Sequence, residues 1–343
     1  MMSDTSVRAQ AWALFDQIVS DAAPDQVHSN PWRASGDGEP TYTPDFATLA
    51  KLLGVPLHLH AKSQSGVPAL ALDVWVSYEL RRAGFDPDAV WPRPAVPRVL
   101  PGPVSALVES LPVKLRAQVQ DRIEGKASIA GVTASSANYL GKNYFKQVDV
   151  SMSSWDTGPE LLISTKRMDS SFGKNAANRV EESYGDAKNL RLRHPMAALG
   201  FLYGLRSTAF EEAAPIADWL VDLLLKLGQE DDAYHACALL VLEYSDDVAV
   251  ENGDDDPGDG EDPLVDAGLI ESTHGDELGI GAVEESALQA QIAHLPTVKV
   301  RQDLVAAGLQ PARFMETMVR RILAATPVNR HTAARARLAE PGS

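Results

Sequence analysis

A single cysteine in 343 residues excludes an internal disulfide and any cysteine-built zinc cluster. That residue, Cys237, lies inside the apolar run Ala236–Leu242, where it reads as a small buried hydrophobe rather than a nucleophile. No uninterrupted apolar stretch approaches the ~20 residues needed to span a bilayer. Met1–Ala23 carries no positively charged apolar leader, so the expectation is a cytoplasmic chain with no membrane partner. Also missing are a P-loop, a dinucleotide-binding glycine motif and a Gly-x-Ser-x-Gly elbow, which leaves kinase, ATPase and common hydrolase readings without a foothold. Basic residues are in deficit, 31 Lys and Arg against 47 Asp and Glu, for a formal charge of −16. Taken as a whole, that balance looks hostile to nucleic acid.

The acids are unevenly placed. Ser245–Glu277 holds thirteen Asp or Glu and no Lys or Arg, whereas Leu111–Arg206 holds fourteen Lys or Arg against nine acids, a local charge of +5. Potential screened over ~10 Å is set by the local value, so this central region is compatible with phosphate contacts.

Four regions follow from composition and periodicity. Residues 1–105 read as mainly helical. Their helices run over Val7–Ser20, from Thr43-Pro44 to about Gly54, and over Pro68–Ala83, closed by Gly84, with a proline-dense connector after Pro92. Residues 106–245 carry a basic helix over Pro112–Gly125, a β-hairpin, a helix over about Gly173–Leu192, an apolar run after Pro195 that reads most simply as a buried strand with a glycine-containing helix as the alternative, a helix over Glu211–Leu227 and an apolar segment over Tyr234–Tyr244. Residues 246–285 form an acidic, glycine-rich segment expected to be a flexible spacer. Residues 286–343 read as helical, with helices over Glu284–His294, Val298–Ala307 and Pro311–Ala325, and a frayed tail from Asn329. The order αββαβ predicts an α/β sheet packed by helices.

The hairpin is the informative part. Val148-Asp149-Val150 and Glu160–Lys166 are β-propensity runs separated by the turn Trp155-Asp156-Thr157-Gly158. Side chains alternate along a strand, so Glu160, Leu162, Ser164 and Lys166 share one face. Folding about Asp156-Thr157 sets Asp149 opposite Ser164, and folding about Thr157-Gly158 sets it opposite Lys166. Either register brings an acid to a lysine.

This arrangement resembles the hairpin of the PD-(D/E)xK, or restriction endonuclease-like, superfamily, in which Asp on one strand and (D/E)-x-K on the next bind a divalent metal and the reacting phosphate. The match covers about Asp149–Leu205. Val148 stands where the family often has proline, and Ser164 where it has the second acid. Some type II restriction enzymes carry Ser-x-Lys here and draw the missing carboxylate from a later glutamate. Glu181 and Glu182 follow at a comparable distance. With Ala177, Val180, Tyr184 and Ala187 defining the buried helical face, Glu181 flanks that face and Glu182 points away, so Glu181 is the preferred second acid. The resemblance implies a restriction endonuclease-like central mixed sheet flanked by helices. It further implies Mg²⁺ held by Asp149 and Glu181, Lys166 orienting or activating water, Ser164 hydrogen-bonding nearby, and hydrolysis of double-stranded DNA. A palindromic recognition site would make a homodimer natural. The alternative expectation is a noncatalytic DNA-binding or assembly protein retaining a nuclease-like core.

Weaker signals complete the reading. Glu160 lies about 20 Å from Lys166 at ~3.3 Å per residue and ranks as a reserve. Glu79, on the preceding helix, is a further candidate for an additional acid. His58-Leu59-His60 would put two imidazoles on one strand face without a nearby partner to complete a zinc set. Asp156-Thr157-Gly158 is best explained as turn chemistry.

Overall fold

The computed structural model describes residues 6–36, 38–124, 129, 132–134, 136–249 and 285–342. Most of the expected acidic spacer, residues 250–284, therefore lies outside the described residues.

Three helices open the chain. Ser6 caps α1 (Val7–Ala22) through Ala9 N–H at 3.2 Å, and Asp45 caps α2 (Phe46–His58) through Thr48 N–H at 3.0 Å. Between them, β1 (Trp32–Arg33) and β2 (Thr41–Tyr42) make a short ribbon. Helix α2 continues through Pro56 to His58, and His60 adopts a left-handed φ of 48°. The two histidines are thus at a helix end, not on one strand face. Helix α3 (Val67–Arg82) ends against Gly84, whose φ is +98°. A β-carbon there would sit 2.9 Å from Ala334 backbone atoms, so glycine is needed for both its backbone and its closeness to the C-terminal segment.

After β3 (Val90–Trp91), the proline-dense stretch still forms α4 (Gly102–Ser110), followed by α5 (Val113–Glu124). Next come the ribbon of β4 (Ala137–Leu140) and β5 (Phe145–Val148), then β6 (Val150–Ser154), β7 (Gly158–Met168), α6 (Phe172–Arg191) and β8 (Ala198–Arg206). Helices α7 (Ala209–Glu212) and α8 (Ala214–Leu227), strand β9 (Ala236–Glu243), helix α9 (Glu285–Ile292), strand β10 (Lys299–Val300) and helices α10 (Pro311–Ala325) and α11 (Thr332–Ala339) follow. Two expectations for the C-terminal region fail. The stretch from Val298 pairs as β10 with β9 instead of forming a helix, and the tail beyond Asn329 is ordered as α11.

The central sheet is mixed, with strand order β3-β6-β7-β8-β9-β10. Strand β6 is antiparallel to both β3 and β7, β7 to β9 are mutually parallel, and β10 is antiparallel again. This is an α/β fold with helices on both faces. Leu161 and Ile163 of β7 point into an apolar layer shared with α1, α2, α3 and α10, while Leu162 and Met168 point into the opposite layer under α6 and α8. Phe314 and Met318 of α10 are fully buried below the sheet, each burial favouring the folded state by roughly 1.5–3 kcal/mol.

His235, just before β9, ties the sheet to α6. Its Nδ1 accepts Leu199 N–H at 2.9 Å, and burial, reinforced by Arg191 and Arg321, holds the imidazole down to about 3. A depressed folded value means that this contribution to stability is complete above the unfolded value near 6.5 and is lost as pH falls towards 3. Melting temperature is therefore expected to drop between pH 7 and pH 4, and His235→Gln should flatten that slope. Identical slopes in thermal melts of the two proteins would refute the assignment.

Candidate active site

Asp149 occupies the junction where the chain leaves β5 for β6. The pairing Val150↔Ile163 continues to Asp149 opposite Ser164, the register of a fold about Asp156-Thr157, with a bulge between Met152 and Ser153 absorbing the remainder of the hairpin. Asp149 Oδ2 accepts Thr165 N–H at 2.8 Å, which fixes the carboxylate against the edge of β7. Ser164 and Lys166, two residues apart on one face of β7, then join Asp149 around a recess of about 10 Å³. Lys146 and Gln147 of β5 and Ser183 and Asp186 of α6 complete its wall.

Glu181 is not in that wall. The helix buries Ala176, Val180, Ser183, Ala187 and Leu190, whereas Ala177, Glu181 and Glu182 are exposed. The docked face is rotated from the one expected through Ala177 and Tyr184. At 100° per residue, a side chain beside Val180 is then carried to solvent, and Asp186, three residues after Ser183, comes inward. Glu182 only brushes the site, with its Oε1 3.8 Å from Lys146 Nζ.

Asp186 is held from two sides. Tyr144 donates its hydroxyl to Oδ1 at 2.8 Å, and Lys146 Nζ lies 3.2 Å from Oδ2. The turn that delivers Tyr144 is pinned by Asn189, which accepts Asn143 N–H at 2.8 Å and donates to the Tyr144 carbonyl at 3.1 Å. Gly141 makes this approach sterically feasible, because a β-carbon would stand 2.1 Å from Asn189 Nδ2. From β9's side, the Tyr234 hydroxyl donates to the Ser183 carbonyl at 2.9 Å. Burial first, then the negative charge of Asp186, raises this phenol well above its ordinary value, so it remains a donor at neutral pH. Beneath the strand, Thr165 points the other way and donates its hydroxyl to Asp73 of α3.

The donor set bears on metal chemistry. Asp149, Asp186, Ser164, Ser183 and Gln147 offer oxygen, the preference of a hard cation. Among the described residues no group of three or more His, Cys, Asp or Glu could hold a metal. Two carboxylates plus water and substrate oxygens nevertheless match the habit of Mg²⁺, which keeps several waters. The residues fit that ion better than a soft or imidazole-seeking one.

The other candidates lie elsewhere. Glu79 is fully buried on α3, where its carboxylate takes Arg82 Nη1 at 2.7 Å, Tyr42 Oη at 2.9 Å and Asp45 N–H at 2.7 Å. Glu160, near the start of β7, receives His331 Nε2 at 2.9 Å and the Thr157 hydroxyl. Asp156 pairs with Arg330 in the hairpin turn. Sequence reasoning missed Lys146, Gln147, Ser183, Asp186 and Tyr144. Lys146-x-x-Asp149 and the i, i+3 pair Ser183 and Asp186 were visible, but nothing local set the rotation of α6 or brought β5 to it.

Among the described residues no helix is long and apolar enough to cross a membrane. No family model, curated protein or solved structure matches the chain.

Proposed function

We propose that this chain is a Mg²⁺-dependent endonuclease that hydrolyses phosphodiester bonds of duplex DNA, built on a restriction endonuclease-like sheet and acting in the manner of a type II restriction enzyme. The observation that carries the reading is the meeting of Asp149 with Ser164 and Lys166 across β6 and β7, with Asp186 supplied by the next helix. The surrounding excess of basic residues over Leu111–Arg206 supports phosphate contact.

Asp149 and Asp186 would hold the metal, which when bound supplies a water of lowered pKa and charge stabilisation at the phosphoryl oxygens. The Thr165 amide fixes one oxygen of Asp149, so that carboxylate needs little reordering when substrate arrives. Lys166 Nζ would orient the attacking water by hydrogen bonding and offset phosphate charge. Ser164 adds a hydroxyl that can donate to or accept from water but cannot replace a carboxylate. Lys146 balances Asp186, and Tyr144 sets that carboxylate's rotamer. If the recognised sequence is palindromic, a two-fold dimer matches its symmetry.

The small recess and the ion pair already on Asp186 favour a second reading, a noncatalytic DNA-binding or assembly protein with the same core. One experiment separates them. The full chain is incubated with long, unmodified duplex DNA in Mg²⁺ or in chelator. Cleavage in Mg²⁺ alone, lost in folded Asp149→Ala and Lys166→Ala, is the expected result. Gel retardation of the duplex without cleavage would favour the second reading, and cleavage untouched by either substitution would overturn the site.

A further inference from the structure

A second recess, of about 700 Å³, opens at the opposite end of the β6–β7 hairpin, within the size range of small-molecule sites. Its wall includes Glu160, six residues and about 20 Å along β7 from Lys166, so it is separate from the Asp149 cluster. The end of α3, the start of α4, the hairpin turn and the opening of α11 enclose it.

The three acids and three arginines of its wall balance in number but not in contact. Asp156 pairs with Arg330, Glu160 receives His331 Nε2, and Asp86 is exposed at the rim. Arg81 and Arg337 have no such match. Arg81 donates through Nη2 to the Val90 and Pro92 carbonyls, and Arg337 through Nη1 to the Ser29 and Arg82 carbonyls. Among the described residues neither meets a carboxylate at ion-pair distance. Two buried nitrogens, Arg81 Nε and His28 Nδ1, also lack a hydrogen-bond partner. Burying a cation with no carboxylate in contact is costly, and an anion in the recess would relieve that cost.

The electrostatics of His28 agree. Burial, followed by Arg81, Arg337 and Arg82, pushes its imidazole down to about 4, so it is neutral at pH 7 and can present a donor. Arg81 is itself lowered to about 9 by burial and then by Arg98. Asp16 and Asp88 partly oppose that lowering, but they are ion-paired to Arg98 and Arg93 rather than to Arg81.

We infer that this recess binds a small phosphate-bearing organic molecule of about nucleoside-monophosphate size, with Arg81, Arg337 and His28 holding the phosphate. A phosphate supplies several strong acceptor oxygens for these donors, and guanidinium forks suit that geometry. The remaining volume accommodates an organic body. Phe85 lines the interior, and Trp155, 74% exposed on the hairpin turn, offers an aromatic face at the mouth. The inference does not depend on nuclease activity.

Calorimetric titration of the full chain at low ionic strength with adenosine monophosphate, inorganic phosphate and adenosine tests it. Adenosine monophosphate is expected to bind about tenfold or more tighter than phosphate, and adenosine to give no measurable binding. Arg337→Gln, at a half-exposed position chosen to spare the fold, should weaken both phosphate-bearing probes by about tenfold, the scale of one charge-assisted contact. Trp155→Ala should weaken adenosine monophosphate and leave phosphate unchanged. Asp149→Ala should change neither, so a failed nuclease assay and a failed titration remain distinguishable. Absence of binding by adenosine monophosphate overturns the inference, as does binding indifferent to Arg337→Gln or abolished by Asp149→Ala.

Discussion

Under the proposed nuclease function, Asp186→Asn is expected to lower Mg²⁺-dependent DNA cleavage by about a hundredfold, on the scale seen when a partner of a metal site is lost, whereas Glu181→Gln leaves the rate within about twofold. The contrast follows from the phase of α6. Asp186 lines the recess beside Asp149, while Glu181 faces solvent. Asparagine preserves shape and can still accept the Tyr144 hydroxyl, so the change removes charge more than packing. Lys146→Gln provides the control, since it strips the ammonium from Asp186 but keeps the acid in place. If Asp186 served only to neutralise Lys146, that variant would restore activity in the Asp186→Asn background. Cleavage rates and melting temperatures of the four proteins decide the matter, and a Glu181→Gln loss as large as that of Asp186→Asn would move the second acid back to Glu181.

Glu79→Ala should destabilise the protein by about 3–5 kcal/mol, the range for breaking a buried pair and stranding one charge. Arg82 would lose its carboxylate, the Tyr42 hydroxyl one of its two acceptors and the Asp45 amide its partner, all beneath the N-terminal helices. Burial raises the Glu79 carboxyl above its usual value despite Arg82 opposing it, which is the signature of a group far from water. Urea unfolding measures the loss. Cleavage per folded molecule should be unchanged, because the network makes no contact with the Asp149 recess. A rate defect in fully folded Glu79→Ala would return this residue to the list of candidate acids.

The parts of the architecture with strong local periodicity were legible. Helices α1, α3, α6 and α10 begin and end within a few residues of their caps, prolines and glycines, β7 and β8 are continuous β-propensity runs covered on both faces, and β9 was legible only as an apolar segment. Elements set by distant partners were not legible. Lys299 and Val300 become a strand because β9 presents an edge and Glu243 meets both Lys299 and Arg301. Helix α11, rich in alanine and arginine, has little apolar periodicity. Close packing on Gly84 and the side chain of Asn30, which donates to the Arg337 and Glu340 carbonyls, hold it in place. The site shows the same division. Alternation along β7 brought Ser164 and Lys166 to one face. The identity of the helical acid depended on a rotation of α6 of less than one turn, which packing determines and sequence spacing does not.

The seam between Asn30 and Arg337 joins residues 307 positions apart, and α10 covers the same apolar layer as α1 to α3. During synthesis, then, the first helices must wait until Pro311–Ala325 has been made before their cover exists. A nascent chain halted ahead of Pro311 would present uncovered leucines and tryptophans to solvent or to a chaperone, and such non-local closure makes for slow, aggregation-exposed folding.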